Sequence, residues 1–170
     1  MGGSSAGGNL TAAMTHRAVL HNKTNQSPKI TIRKQILSVP VVDNTALPSN
    51  NWSWSEFEFA PALSAHKMLW FRNNYLPDQK EWSNPEASPL LYHHDFWGLL
   101  PPAVLLLGEL DILRAEGESY AKRLTEAGVQ DVEVHIMPGQ PHPFLAMDAV
   151  LEAGRQAITL MVEGVKGAVY

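Results

Sequence analysis

The 170-residue sequence predicts an α/β fold, a parallel sheet with helices on its faces. Apolar runs at 36–42 and 103–107 and an alternating segment at 132–136 have the length and patterning of strands. Helical stripes fall before, between and after them, so each strand is reached from the last by a crossover, as in a parallel sheet. Each run also stops at a turn signal: Asp43-Asn44-Thr45, Gly108-Glu109-Leu110-Asp111 and Pro138-Gly139.

Leu10, Ala13, Met14 and Ala18 recur at helical spacing and predict a helix over 7–21, broken by the polar stretch 22–28. Ile30 and Ile32 alternate with Thr31 and Arg33, and the run 36–42 then reads as a buried strand ending around Pro40. Residues 44–64 scatter Trp52, Trp54, Phe57 and Phe59 among prolines and polar residues, which predicts irregular structure around an aromatic cluster. Ala65, Met68, Leu69 and Phe71 predict a helix over 64–75, stopped by Pro77. A proline-rich connection leads to the interior strand 103–107. Tyr120, Ala121, Leu124 and Ala127 form one stripe of a helix over 116–127, with Gly128 as its cap. Val132, Val134 and Ile136 alternate with Glu133 and His135 in a third strand, and a long helix over 144–164 closes the chain.

With 45% hydrophobic residues the chain is long enough for one domain with a sizeable core. A net charge of -4 gives no electrostatic reason to expect nucleic acid or an anionic membrane as partner. The absence of cysteine excludes disulfides and thiolate chemistry. No apolar run approaches the roughly 18 residues of a membrane span. No basic-then-apolar leader is visible, so a cytoplasmic location is the default expectation.

Gly3-Ser4-Ser5-Ala6-Gly7 is a G-x-S-x-G sequence, the pattern of a nucleophile elbow, with only Met1 and Gly2 before it. In an elbow a strand delivers the serine into a strained turn and a helix leaves it, so the hydroxyl is exposed and the next backbone N–H faces a developing oxyanion. A serine hydroxyl is a poor nucleophile at neutral pH and needs a base in reach, itself oriented by a carboxylate. Ser5, Asp111 and His142 each stand at a strand end, in the order Ser, Asp, His. Glu109, Glu116 and Glu118 are rival carboxylates, Asp111 could instead cap the following helix, and His142 could be an ordinary loop histidine. His93-His94-Asp95 has a metal-like composition, but without a third ligand at sensible spacing it reads as a solvated loop.

Three blocks, Gly3-Ser4-Ser5-Ala6-Gly7-Gly8-Asn9, Asp111-Ile112-Leu113-Arg114 with Glu116 to Ala121, and Gly139-Gln140-Pro141-His142-Pro143-Phe144, resemble the hormone-sensitive-lipase-like branch of the α/β-hydrolase fold. Asn84-Pro85-Glu86-Ala87-Ser88-Pro89-Leu90 and Leu100-Pro101-Pro102 are similar to that branch's connecting segment. The resemblance implies Ser5 as nucleophile, His142 as general base, Asp111 as the orienting acid, and the N–H groups of Ala6 and Gly7 toward the oxyanion. It implies a small-molecule carboxylic ester as substrate, and no metal or organic cofactor. It further implies that 44–85 is a cap-like insert within a single domain over 1–170, with Trp52, Trp54, Phe57 and Phe144 at the acyl pocket. Members usually carry Asp where this chain has Ser4. Complete members also have upstream strands and a His-Gly-Gly loop that supplies further oxyanion donors. No such loop occurs here, so the chain is expected to represent the C-terminal portion of the fold. Two expectations follow: an esterase, or a catalytically silent product that at most binds a small apolar ligand or a partner chain. On either, the strand at 36–42 is expected to form an exposed edge that invites self-association.

Overall fold

The computed structural model describes residues 1–24 and 27–169; Asn25 and Gln26, within the predicted helix break, and Tyr170 lie outside the described residues. Strands β1 (Gly2–Ser4), β2 (Gln35–Ser38), β3 (Ala103–Gly108) and β4 (Val132–Met137) form one parallel sheet in the order β1-β2-β3-β4. The helices are α1 (Ala6–Lys23), α2 (Trp52–Glu56), α3 (Ala65–Tyr75), α4 (Arg114–Glu126) and α5 (Glu152–Val169).

Side chains alternate across the sheet, so one face takes Leu37 and Leu105 and the other Ile36, Val104 and Leu106. The first face is covered by α1 and α4 through Ala12, Val19, Tyr120, Ala121 and Leu124. The second is covered by α5 through Ala157, Leu160 and Met161. All six residues of β3 are buried, which is why that segment reads as a continuous apolar run. A third cluster joins Val41, Ile112 and Leu113, beyond the strand ends, to Trp54, Leu63 and Met68 of segment 44–85.

Four expectations need correction. The strand predicted over 36–42 leaves the ladder at Val39, whose φ of 41° turns the chain out of extended conformation; Val39 to Val42 stay buried as a loop. Ile30 and Ile32 lie outside any strand, because residues 29–34 run irregularly into β2. The exposed edge is also misplaced: Gly2, Gly3 and Ser4 pair with Ile36, Leu37 and Ser38, so β2 is interior and the outer strands are β1 and β4. The closing helix is interrupted as well, with a 3-10 turn at Phe144–Met147 and α5 starting at Glu152.

Candidate functional site

Ser5 joins β1 to α1 at φ 55° and ψ −116°, a conformation that L residues rarely adopt. Neighbouring backbone holds it there: Ser5 N–H donates to the Ser38 carbonyl at 2.9 Å, and the Ser5 carbonyl accepts from Asn9 N–H at 3.0 Å. Asn9 is tied in turn, its Nδ2 donating to the carbonyls of Val41 (2.8 Å) and Ala87 (2.7 Å). The strained turn lifts the serine hydroxyl clear of the sheet edge. Ala6 and Gly7 lie in the first turn of α1, where backbone N–H groups have no intrahelical acceptor.

The loops after β3 and β4 bring the other two side chains to the same edge. His142 Nε2 is 2.8 Å from Ser5 Oγ, and His142 Nδ1 is 2.9 Å from Asp111 Oδ2. Asp111 is 1% exposed, and its Oδ1 accepts from Leu113 N–H at 3.0 Å. Both carboxylate oxygens are therefore committed, one to the chain and one to the imidazole.

The rival carboxylates are engaged elsewhere. Glu109 accepts from Gly139 N–H at 2.6 Å and so ties the Asp111 loop to the His142 loop. Glu118 pairs with Arg114 at 2.9 Å. Glu116 is buried and accepts from the N–H groups of Val42 (2.8 Å) and Asp43 (3.2 Å) and from Trp54 Nε1 (3.4 Å). Burial, with some help from the charge of Asp43, pushes its carboxyl up to about 8 even against those donors.

A cavity of about 570 Å³ opens beside Ser5 and His142. Ala6, Leu10, Val41, Leu63, Met68, Phe71, Arg72, Tyr75 and Pro143 are among its lining residues; Gly7 is not. Nor are the four aromatics expected at the pocket, which is a correction. Trp54 is fully buried one layer behind the wall, packed with the cluster that holds Ile112 and Leu113. Trp52 lies half-exposed under the Arg114 guanidinium and edge-on to Phe57, which packs on the outside of that cluster. Phe144 turns down to the α5 face of the sheet against Val104 and Leu106. The wall comes instead from one face of α3, where Met68, Phe71, Arg72 and Tyr75 recur at i, i+3, i+4 and i+7. That spacing is legible in the sequence, where Met68 and Phe71 belong to the apolar set of the predicted helix.

A second polar cluster joins His16 of α1 to His94, Tyr120 and Gln35. His94 does not belong to a solvated loop, because its Nε2 is 2.9 Å from Nδ1 of the fully buried His16. Phe96 N–H donates to His94 Nδ1, which leaves the Nε2–H of His94 to donate to His16. His16 Nε2–H then faces Tyr120 Oη (3.2 Å), which donates to Gln35 Oε1 (3.3 Å). Burial, with the nearby His94 and Arg123, pushes His16 down to about 3, so it is neutral at ordinary pH.

The chain is similar to proteins of one kind along nearly its whole length. It is 46% identical over 155 residues to the AB hydrolase superfamily protein C1039.03 of Schizosaccharomyces pombe, a match covering 91% of this chain and 44% of that protein. With the ethyl acetate hydrolase of Pseudomonas putida it shares 26% identity over 164 residues, 96% of this chain and 48% of that one. It superimposes on the crystal structure of EstE1, a thermophilic carboxylesterase cloned from a metagenomic library, with a TM-score of 0.84 and 32% identity, over 99% of this chain and 54% of that one. The chain thus spans about half the length of the relatives it matches. The family pattern itself runs through residues 1–146, from β1 to the turn beyond His142, and the chain belongs to the α/β hydrolase fold family.

Proposed function

We propose that the chain carries the acyl-transfer centre of a carboxylic-ester hydrolase, with Ser5, His142 and Asp111 as its catalytic triad. The observation that carries this reading is the unbroken series of hydrogen-bond contacts from Ser5 Oγ through His142 to Asp111, at 2.8 and 2.9 Å. Ser5 Oγ attacks the ester carbonyl as His142 Nε2 takes its proton; the imidazolium then protonates the departing alkoxide, which leaves as the alcohol. Water, deprotonated by His142, attacks the acyl-serine and releases the acid, and the proton returns to Ser5. Asp111 holds Nδ1–H and balances the imidazolium charge. Ala6 N–H, beside the cavity, donates to the carbonyl oxygen as it becomes anionic; one such donor is typically worth about 100- to 1,000-fold in rate. Segment 44–85 acts as the cap, closing the cavity with Leu63 and the inner face of α3.

A fluorophosphonate probe reacts with an activated serine and tests this directly. The expected result is one labelled peptide carrying Ser5, with labelling abolished in Ser5→Ala. An unlabelled wild-type chain with its fold intact would reject the catalytic reading and favour the silent one, a scaffold that at most holds an apolar ligand in the same cavity.

A further inference from the structure

Arg72 is the side chain of the cavity wall whose chemistry the hydrolytic steps leave unused. It is 1% exposed, yet lines the same cavity as Ser5. A guanidinium carries five N–H donors, and burying them without acceptors is costly. Nη1 donates to the Ala46 carbonyl at 2.9 Å, whereas Nε and Nη2 find no acceptor among the described residues and are closed to water. The rings of Trp54 and Trp82 each lie 4.8 Å from Cζ and hold the fork in place. Nε and Nη2 together make the edge with which arginine grips a carboxylate through two parallel hydrogen bonds. The acidic groups that act on its charge, Glu116 and Asp43, leave that edge free: Glu116 accepts from Val42, Asp43 and Trp54, and Asp43 accepts from Thr45.

We infer that Arg72 determines specificity: the cavity takes an ester that also bears a carboxylate, which the Nε and Nη2 edge binds while Ser5 meets the ester carbonyl. This deepens the hydrolytic reading and rests on it. Leu10, Val41, Leu63 and Met68 supply apolar wall for the alkyl spacer between the two groups. Because Nε and Nη2 are shut off from water, the carboxylate reaches them only as wall side chains shift, and the paired hydrogen bonds offset that shift. A neutral ester has nothing to offset it.

The test uses the Ser5→Ala chain, which holds an ester without turning it over. It is titrated with the monoethyl esters of succinate, glutarate and adipate, and with the ethyl esters of the monoacids of equal carbon number, while the Arg72 Nε–H resonance is followed by NMR. At least one acid-ended ester is expected to shift that resonance and to bind at least about tenfold tighter than its neutral partner, as a charge-assisted bidentate contact should. In the Ser5→Ala background, Arg72→Met is expected to erase the preference for the acid-ended ester over its neutral partner. An Arg72 resonance indifferent to all three acid esters, or a preference that survives Arg72→Met, overturns the inference; if Arg72→Met does not fold, the resonance decides alone. Failure of the two readings is separable. Fluorophosphonate labelling of Ser5 without carboxylate preference overturns the Arg72 assignment only, while carboxylate binding at Arg72 in a chain that the probe does not label supports the anion site and rejects hydrolysis.

Discussion

Ser5 is held at a backbone conformation that costs roughly 1–3 kcal/mol, and the residues around it show how that strain is sustained. Gly3 is the tightest point: a Cβ there would stand 2.3 Å from the carbonyl oxygen of Gly7, whereas a Cβ on Gly7 would meet nothing within 4 Å. Gly3→Ala is therefore expected to lower stability by about 1–3 kcal/mol, as overpacking does, and Gly7→Ala to leave it unchanged or slightly raised. Urea midpoints of the two variants check the contrast, and equal midpoints would remove the close approach as the reason for glycine at position 3. Ser5, Asp111 and His142, which the structure brings into hydrogen-bond contact, stand out in the sequence because the G-x-S-x-G pattern and the strand ends mark their places. Arg72 was not legible as a site residue, since arginine on a helix ordinarily faces solvent.

At the level of elements, β3, α4 and β4 match their sequence patterns closely, because each is long enough to show its period and is flanked by a turn signal. β1 has three residues, two of them glycine, and offers no pattern; only pairing with Ile36 to Ser38 defines it. β2 shows the converse, an apolar run longer than its strand, because burial continues through the loop after Val39 has left the ladder. β3 is the element both helical layers depend on. Leu105→Ala, at a fully buried position facing α4, is expected to cost about 2–5 kcal/mol. A loss below 1 kcal/mol in denaturant unfolding would mean that this face of the sheet can collapse around the gap.

For the whole molecule, the sheet ends at β1 and β4, and Val134 and Ile136 of β4 are partly exposed on the α4 side. Concentration-dependent self-association is expected by sedimentation velocity, reduced by Ile136→Lys; a species unchanged by dilution and by that substitution would count against it. Acid stability should follow His16. Its folded value of about 3 lies below its ordinary value of 6.5, so between those pH values the unfolded chain binds a proton that the folded chain does not. This contribution to stability is present above about pH 6.5 and falls as pH drops, by roughly 1.5 kcal/mol between pH 6.5 and 5, the slope approaching 1.36 kcal/mol per unit once the unfolded imidazole is protonated. His16→Gln should lower stability at pH 7, where Tyr120 and His94 lose their partner, yet flatten the acid slope. An unchanged slope in urea titrations at the two pH values would show that His16 is protonated in the fold.

Activation of Ser5 by His142 and Asp111 is read out in the rate of its reaction with a fluorophosphonate, measured for the wild-type chain, His142→Gln and Asp111→Asn. The expected result is a rate reduced by at least about 100-fold in His142→Gln, since general-base assistance contributes that much or more, and clearly reduced in Asp111→Asn. Equal rates in all three chains, with their folds intact, would contradict it.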